Sequence, residues 1–468
     1  MGGITPSYTF VAEPQTNGVA ERFNRTMKEQ AIHGRLFNNV EEVRAAAIAF
    51  KDRYNRQWRL EKLGFKTPSK PVRHRSCHLP PDRKIASKQP DPVQIHSNNG
   101  SSTMKRILLA LPLAAAVSAH AQSSITLYGI VEDGVDFVSN VQGHHLQQLA
   151  SGVTAGSRWG GHGGENLGGG TSAIFRLESG FDINSGRLGS GLGFSRNAYV
   201  GLSNTRYGTL TLGRQWDSIV DFVEPFTLNG NVGGYYFAHP NDMDNTDNGF
   251  PIANAVKYRT DRGGFTFGGL YAFGGQPERF SDNATFSVGA SYAGGPFSFG
   301  VGYLRINNPG VSTQGYQNYP GFTNAIYGDY VNAARAQKVF GVGASYQVLP
   351  IAKLLVDFTN INFQQGSAGH DATFQNYEIS TIVTPTLALT LSAGYTYTTG
   401  RDHATDAVPK YNQFNLSAEY ALSKRTTVYV MGAYQKAAGD AAAAQIAGFN
   451  PSSNQKQAVG RAGIRHVF

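Results

Sequence analysis

From Ser124 to Phe468 the chain repeats with a period of two, segment after segment. In "FTFGGLYAF", Phe265, Phe267, Gly269, Tyr271 and Phe273 alternate with Thr266, Gly268, Leu270 and Ala272. Successive side chains of a strand point to opposite faces, so one face is apolar with aromatic ends and the other is small or polar. The same pattern recurs in Phe297/Phe299/Val301/Tyr303, Phe340/Val342/Ala344/Tyr346, Leu389/Leu391/Ala393/Tyr395/Tyr397 and Phe414/Leu416/Ala418/Tyr420. Two opposite architectures satisfy it. A sandwich buries its apolar faces against each other; a membrane barrel turns them to lipid and keeps the polar faces around a wet interior.

The connections favour the barrel. The alternation predicts sixteen strands, beginning near Ser124, Gln148, Gly170, Ser195, Tyr207, Ala253, Phe265, Ala284, Phe297, Lys338, Ala352, Ala372, Leu387, Tyr411, Thr426 and Gln457. Tight links such as "SNTRYG", "RTDRGG", "AGGP", "VLPI", "VTPT" and "LSKRT" alternate with long ones rich in Gly, Asn and Asp, the largest being Asp217 to Ile252 and Asn307 to Gln337. Short turns on one rim and long loops on the other are the habit of outer-membrane barrels. Closure leaves no sheet edge, which lipid requires because it offers unpaired N–H and C=O groups no partner.

The region ahead of the strands has a different texture. Before Gln122 there are 19 Lys+Arg against 9 Asp+Glu; from Gln122 onward there are 22 against 23. The formal charge of +9 therefore reflects the first quarter and gives no reason to expect nucleic-acid binding by the rest. "MKRILLALPLAAAVSAHAQ", from Met104, has the charged start, the apolar run (Ile107 to Val117) and the small-x-small end (Ala119-His120-Ala121) of a secretory signal peptide. That run is shorter than the roughly 20 residues of a membrane-spanning helix. The lone cysteine, Cys77, lies upstream of it, so the strand region can form no disulfide and no cysteine-based metal site.

Motifs in the strand region resemble the Gram-negative general-diffusion porins. They are "ITLYGIVEDGV" (Ile125 to Val135), "SRWGGHGGENLGGGTSAIFRLESGFD" (Ser157 to Asp182), "SRNAYVGLS" (Ser195 to Ser203), "YGTLTLGRQ" (Tyr207 to Gln215), "YALSKRTTVY" (Tyr420 to Tyr429) and the closing "AGIRHVF". The resemblance implies an all-β, sixteen-stranded antiparallel transmembrane barrel with an inward-folded third loop. It further implies a homotrimer among outer-membrane lipid and lipopolysaccharide, passing small hydrophilic solutes and ions without enzymatic activity or cofactor. It also implies that the terminal Phe468 is read by the barrel assembly machinery.

In that family the third long loop narrows the pore, and Asp217 to Ile252 corresponds to it. Asp217, Asp221 and Glu224 are its expected acids, followed by Pro225-Phe226, which interrupts strand pairing. Arg158, Arg196 and Arg259 match lumen-facing basic positions of similar porins, and Arg176 and Glu178 share the lumen face of the third strand. Opposed rows of charge across a wet constriction set up a transverse field that passes dipolar solutes and holds back apolar ones.

Other motifs carry less. "GGHGGENLGGG" has the glycines of a phosphate cradle but no helix after it, and reads as a turn between strands. His144 and His145 are expected as an exposed pair in the first long loop. No nucleophile elbow or metal-ligand spacing is present, so neither a catalytic site nor a metal site is expected.

Three stretches near the N-terminus resemble the end of an insertion-sequence transposase core of the integrase type. They are "AEPQTNGVAERFNRTMKEQ" (Ala12 to Gln30), "FNNVEEVRAAAIAFKDRYN" (Phe37 to Asn55) and "LGFKTPSKPV" (Leu63 to Val72). That chemistry needs three carboxylates around two metal ions. Glu21 matches the third, and the strands that would bring the other two are missing, so no activity and no functional nucleic-acid partner are expected. The expected organisation is a truncated, α-rich fragment at 1–75, a polar Pro-rich linker at 76–103, a signal peptide at 104–121 and the barrel at 122–468. The economical account is an element inserted upstream of a porin reading frame, with Met104 the true start and Gln122 the mature N-terminus; the rival account is a real fusion product whose signal is internal.

Overall fold

The computed structural model describes residues 124–313, 323–364 and 371–468, together with residues 46, 48–50 and 52, which are helical. Glu21 and the stretch 104–121 lie outside the described residues. The chain divides into two compact units, Met1–Pro112 and Leu113–Phe468.

The second unit is one antiparallel sheet closed on itself. Its first strand, β1 (Ser124–Val141), pairs with the last, β17 (Lys456–Val467), from Ile130↔Val467 to Val138↔Val459. Between them follow β2 (His144–Ser151), β3 (Arg158–Gly168), β4 (Thr171–Gly180), β5 (Ala198–Asn204), β6 (Gly208–Gln215), β7 (Ile252–Arg262), β8 (Phe265–Ala272) and β9 (Thr285–Gly294). The second half comprises β10 (Phe297–Asn307), β11 (Ala336–Leu349), β12 (Ala352–Gln364), β13 (Ala372–Val383), β14 (Leu389–Asp402), β15 (Pro409–Ala421) and β16 (Thr426–Gly439). Both β2 and β3 pair with β1, at its C-terminal and N-terminal halves respectively, so they are one barrel strand interrupted at residues 152–157. Seventeen segments thus make the sixteen expected strands.

The boundaries fall within three residues of expectation except at this second strand, which begins at His144 rather than near Gln148 and then breaks. The first loop is also a correction. Only Gln142 and Gly143 separate β1 from β2, both with positive φ (53° and 95°), the two-residue hairpin geometry that matches strand twist. His144 and His145 therefore open a strand and do not sit in a long loop.

Short links at 169–170, 205–207, 263–264, 295–296, 350–351, 384–388 and 422–425 share one rim. The long ones, 181–197, 216–251, 273–284, 308–335 and 440–455, share the other. Exposed aromatics Tyr207, Tyr258, Phe265, Phe297, Tyr346 and Tyr420 cluster beside the short turns, as an interfacial girdle does. Phe468 closes the seam by exchanging two 3.0 Å backbone hydrogen bonds with Gly129.

Burial settles the choice between the two architectures. Val200, Leu202, Leu212, Phe267, Val288, Val356, Ile379, Leu416 and Val430 are exposed on the outside, while Ser287, Gln337, Thr359, Asn376, Thr398, Gln413 and Gln435 are buried inside. This is the inverse of a soluble core, and it suits a molecule whose outer solvent is hydrocarbon.

Candidate functional site: the lumen and its loop

Residues 216–251 fold into the barrel as short helical turns, the first being the helix Ser218–Phe222, capped by Asp217, whose side chain accepts a 2.7 Å bond from the Ile219 amide. Its apolar side lies on a glycine row. Gly268, Gly289, Gly302 and Gly341 are in register across β8, β9, β10 and β11. A methyl at Gly289 would overlap the Phe222 ring, one at Gly302 would lie 2.9 Å from the Ser218 carbonyl oxygen, and one at Gly341 would lie 3.1 Å from Val223. Beside that row, Gly300 abuts the Phe222 carbonyl and Gly343 abuts Phe226. The helix reaches the wall only because those inner positions carry no side chain. Ile219, Phe222, Val223 and Phe226 are all buried there, each adding about 1.5–3 kcal/mol of apolar burial.

Across the lumen the loop stands off the wall and leaves a cavity of about 700 Å³. Arg158, Arg196 and Arg465 line it from β3, the segment before β5, and β17; Glu224, Asp242 and Asp247 line it from the loop. Residues 152–156, from the break in the second barrel strand, form part of its edge.

The expected residues distribute as follows. Arg158 donates from Nε to the Gly156 carbonyl at 2.8 Å. Arg196 donates from Nε to Glu178 Oε1 at 2.8 Å and from Nη2 to Asn248 on the loop at 3.1 Å, and stacks over Trp216. Glu178 also accepts from Arg176 (2.7 Å) and Tyr128 (2.6 Å), so one carboxylate holds two guanidinium groups and fixes Arg196. Arg259 lies away from this cavity, over the Phe222 ring on the glycine side, 3.9 Å from Asp261.

Of the three loop acids, only Glu224 lines the cavity. Asp217 is fully buried as the helix cap, accepts a 2.6 Å bond from Asn245, and has its pKa pushed up to about 6, chiefly by burial. Asp221 is paired with Lys257 at 2.5 Å. Asp242, Asp247 and Arg465 were not anticipated. Their signals were there: "NDMDNTD" concentrates acids at the loop's far end, and Arg461 and Arg465 share one face of the last strand.

Burial also governs the loop acids at the cavity. Loss of water pushes Glu224 up to about 8 against the bond it accepts from Asn248 (2.7 Å). Asp242 and Asp247 are both pushed up, first by burial and then by neighbouring carboxylates.

Beside the cavity, Arg461 on β17 is wholly buried and pairs with Glu132 (2.8 Å) and Asp136 (2.6 Å) on β1. Two other segments attach here: Tyr236 of the loop donates to Asp136 at 2.6 Å, and the Val153 amide donates to Glu132 at 2.5 Å.

A closed sixteen-stranded barrel, apolar outside and polar and charged inside with a loop folded into its lumen, defines a membrane channel. The chain belongs to the Gram-negative porin family, which matches residues 108–440. An integrase core domain matches residues 2–68. An outer membrane porin protein of Bordetella pertussis is 28% identical over 71% of this chain and 94% of its own length. Outer membrane porin protein 32 of Delftia acidovorans is 34% identical over 43% of this chain and 60% of its own. Among solved structures, an anion-selective porin from Comamonas acidovorans superposes with a TM-score of 0.61 at 26% identity, covering 74% of this chain and all of that one. A trimer form of the Vibrio cholerae outer membrane protein OmpT gives 0.55 at 15% identity, covering 74% of this chain and 99% of that one, which supports the fold alone. The protein is an outer-membrane porin, a multi-pass β-barrel for diffusion, and not an enzyme.

Proposed function

We propose that small hydrophilic solutes and ions cross through the cavity between the loop and the arginine-bearing wall, and that this constriction prefers anions. The observation that carries the reading is the facing of Arg158, Arg196 and Arg465 against Glu224, Asp242 and Asp247 across one space. The two rows are unequal at neutral pH. Guanidinium groups stay charged, whereas burial holds Glu224 largely protonated below about 8. Arg176 and Arg196 share the single carboxylate of Glu178, which leaves that cluster positive. A cleft with one dominant sign of charge concentrates ions of the other sign.

The measurement is the reversal potential of single channels in a KCl gradient across a planar bilayer. Wild type should reverse on the anion side, and Arg158→Ala and Arg196→Ala should each move it toward cations. Unchanged values in both variants would remove the cavity from the conduction path.

The remaining expectations stand with this reading. The barrel is a homotrimer in lipid and lipopolysaccharide, inserted by the assembly machinery through Phe468. Residues 104–121 are a signal peptide removed after Ala121, and residues 1–75 are an inactive fragment joined by the linker 76–103, Glu21 holding no metal pair. N-terminal sequencing of protein from purified outer membranes should begin at Gln122; recovery of residues 1–103 would overturn the processing part.

A further inference from the structure

Behind the loop, on the inner face of β12 and β13, sits a buried cluster whose acids are not among the cavity's lining residues. Asp357 on β12 and Glu378 on β13 are direct cross-strand partners on the inner face. Like charges in such a pair repel, and both are buried. His239 of the loop enters between them, its Nε2 3.4 Å from Asp357 Oδ1 and 3.6 Å from Glu378 Oε2, all three side chains having essentially no solvent exposure. Neither Asp357 oxygen nor His239 Nε2 has a hydrogen-bond partner. Native proteins seldom leave such groups unsatisfied, because a buried polar group without a partner has lost its water and gained nothing in return.

The surroundings orient these donors. His239 Nδ1 lies 2.6 Å from Asp244 Oδ2, which itself accepts from Thr359 (2.5 Å) and Asn376 (3.1 Å). A carboxylate on Nδ1 is the usual outer partner of a metal-ligating imidazole; it orients the ring so that Nε2 is directed between the two acids. Glu378 keeps Oε1 engaged with the Leu228 amide (2.7 Å) and Ser380 (3.0 Å), leaving Oε2, which accepts only a long 3.3 Å bond from Thr396, directed inward.

We propose that His239, Asp357 and Glu378 bind one divalent cation of the zinc class, which fastens the loop to the barrel wall. Donors about 2.0–2.2 Å from a tetrahedral zinc ion stand about 3.4 Å apart, close to the 3.4 and 3.6 Å observed from His239. The ligand atoms of all three residues lie within 4.8 Å of one another. An imidazole in the set favours zinc over calcium or magnesium, which take oxygen.

The test uses the full chain purified in detergent from outer membranes of cells grown with zinc, dialysed against zinc-free buffer, with metal content measured by mass spectrometry. Wild type should retain about one zinc per chain more than His239→Gln and Asp357→Asn, and cobalt exchanged into wild type should give the strong visible bands of tetrahedral coordination. Asp244→Asn, a positioning change, should weaken retention about 10–100-fold without removing a ligand. Folding of each variant is read from its resistance to SDS before heating. Equal zinc in folded wild type and variants, or cobalt bands unchanged by His239→Gln, would overturn the proposal in favour of an imidazolium cluster. Should the variants not fold, a wild type without zinc and without tetrahedral cobalt bands would overturn it equally. None of these readouts depends on conductance, so they stand apart from the selectivity test.

Discussion

The inner wall of this barrel holds the same loop in two different ways. Along β8 to β11 one row of the wall carries no side chains, and the loop lies flush on Gly268, Gly289, Gly302 and Gly341 through Phe222, Val223 and Ile219, with Leu270, Leu304 and Val339 closing the apolar contact beside it. Along β1 and β17 the wall is charged, and contact is directional, through the Tyr236 hydroxyl on Asp136 within the Arg461 ion-pair network. Packing is tolerant of sliding but not of added volume. Buried ion pairs are tolerant of neither partner's loss. The dry seat sets how far the loop reaches, and the polar seam sets where the remaining cavity opens, on the arginine side.

The largest expected effect breaks the polar half. Arg461→Met leaves Glu132 and Asp136 buried without their cation and should cost about 3–5 kcal/mol, read as a marked fall in the temperature at which the folded band disappears on SDS gels. Retained midpoint would mean that the seam is carried by strand pairing alone. Next, Gly300→Leu places a side chain against the Phe222 backbone. Overpacking of this kind costs about 1–3 kcal/mol and should push the loop into the lumen, altering unit conductance more than barrel stability. A change in stability with conductance intact would place the seat outside the pore's control.

A smaller effect sharpens the electrostatic side. Arg196→Ala should shift the reversal potential toward cations, while Arg259→Ala, whose side chain lies over Phe222 and away from the cavity, should shift it less. Equal shifts would merge the two halves. The smallest effect is with pH. Glu224 has its pKa raised to about 8, so it is mostly neutral at pH 7 and gains its charge as pH rises through that value. Anion preference should therefore decline between pH 7 and 9, and the decline should be weaker in Glu224→Gln.

The strand number and the phase of the inner face were legible because both follow from the period of two and from link length. That Arg158 and Arg196 line the cavity follows from motif and phase. What the sequence concealed depends on contacts far apart in the chain. Gly268 and Gly300 read simply as small residues on the polar face, since nothing near them tells that Phe222 lies on top. Asp217 and Asp221 head the loop, as constriction acids would, but one is spent on capping a helix and the other on Lys257. Asp242 and Asp247 reach the cavity instead because the loop turns back within the barrel, a course its composition does not encode locally. The break at residues 152–157 is likewise not marked by periodicity, because the glycine-rich second half, Arg158–Gly168, has no apolar alternation to interrupt.

The polar face of the sheet encloses water while its apolar face meets lipid. Liposome swelling tests it most directly, with protein reconstituted from detergent and challenged by sugars of increasing size. Rapid swelling with the small sugars, falling off steeply as size increases, is the expected result. Vesicles that stay impermeable to the smallest sugar, from a preparation that is equally monodisperse without detergent, would contradict it.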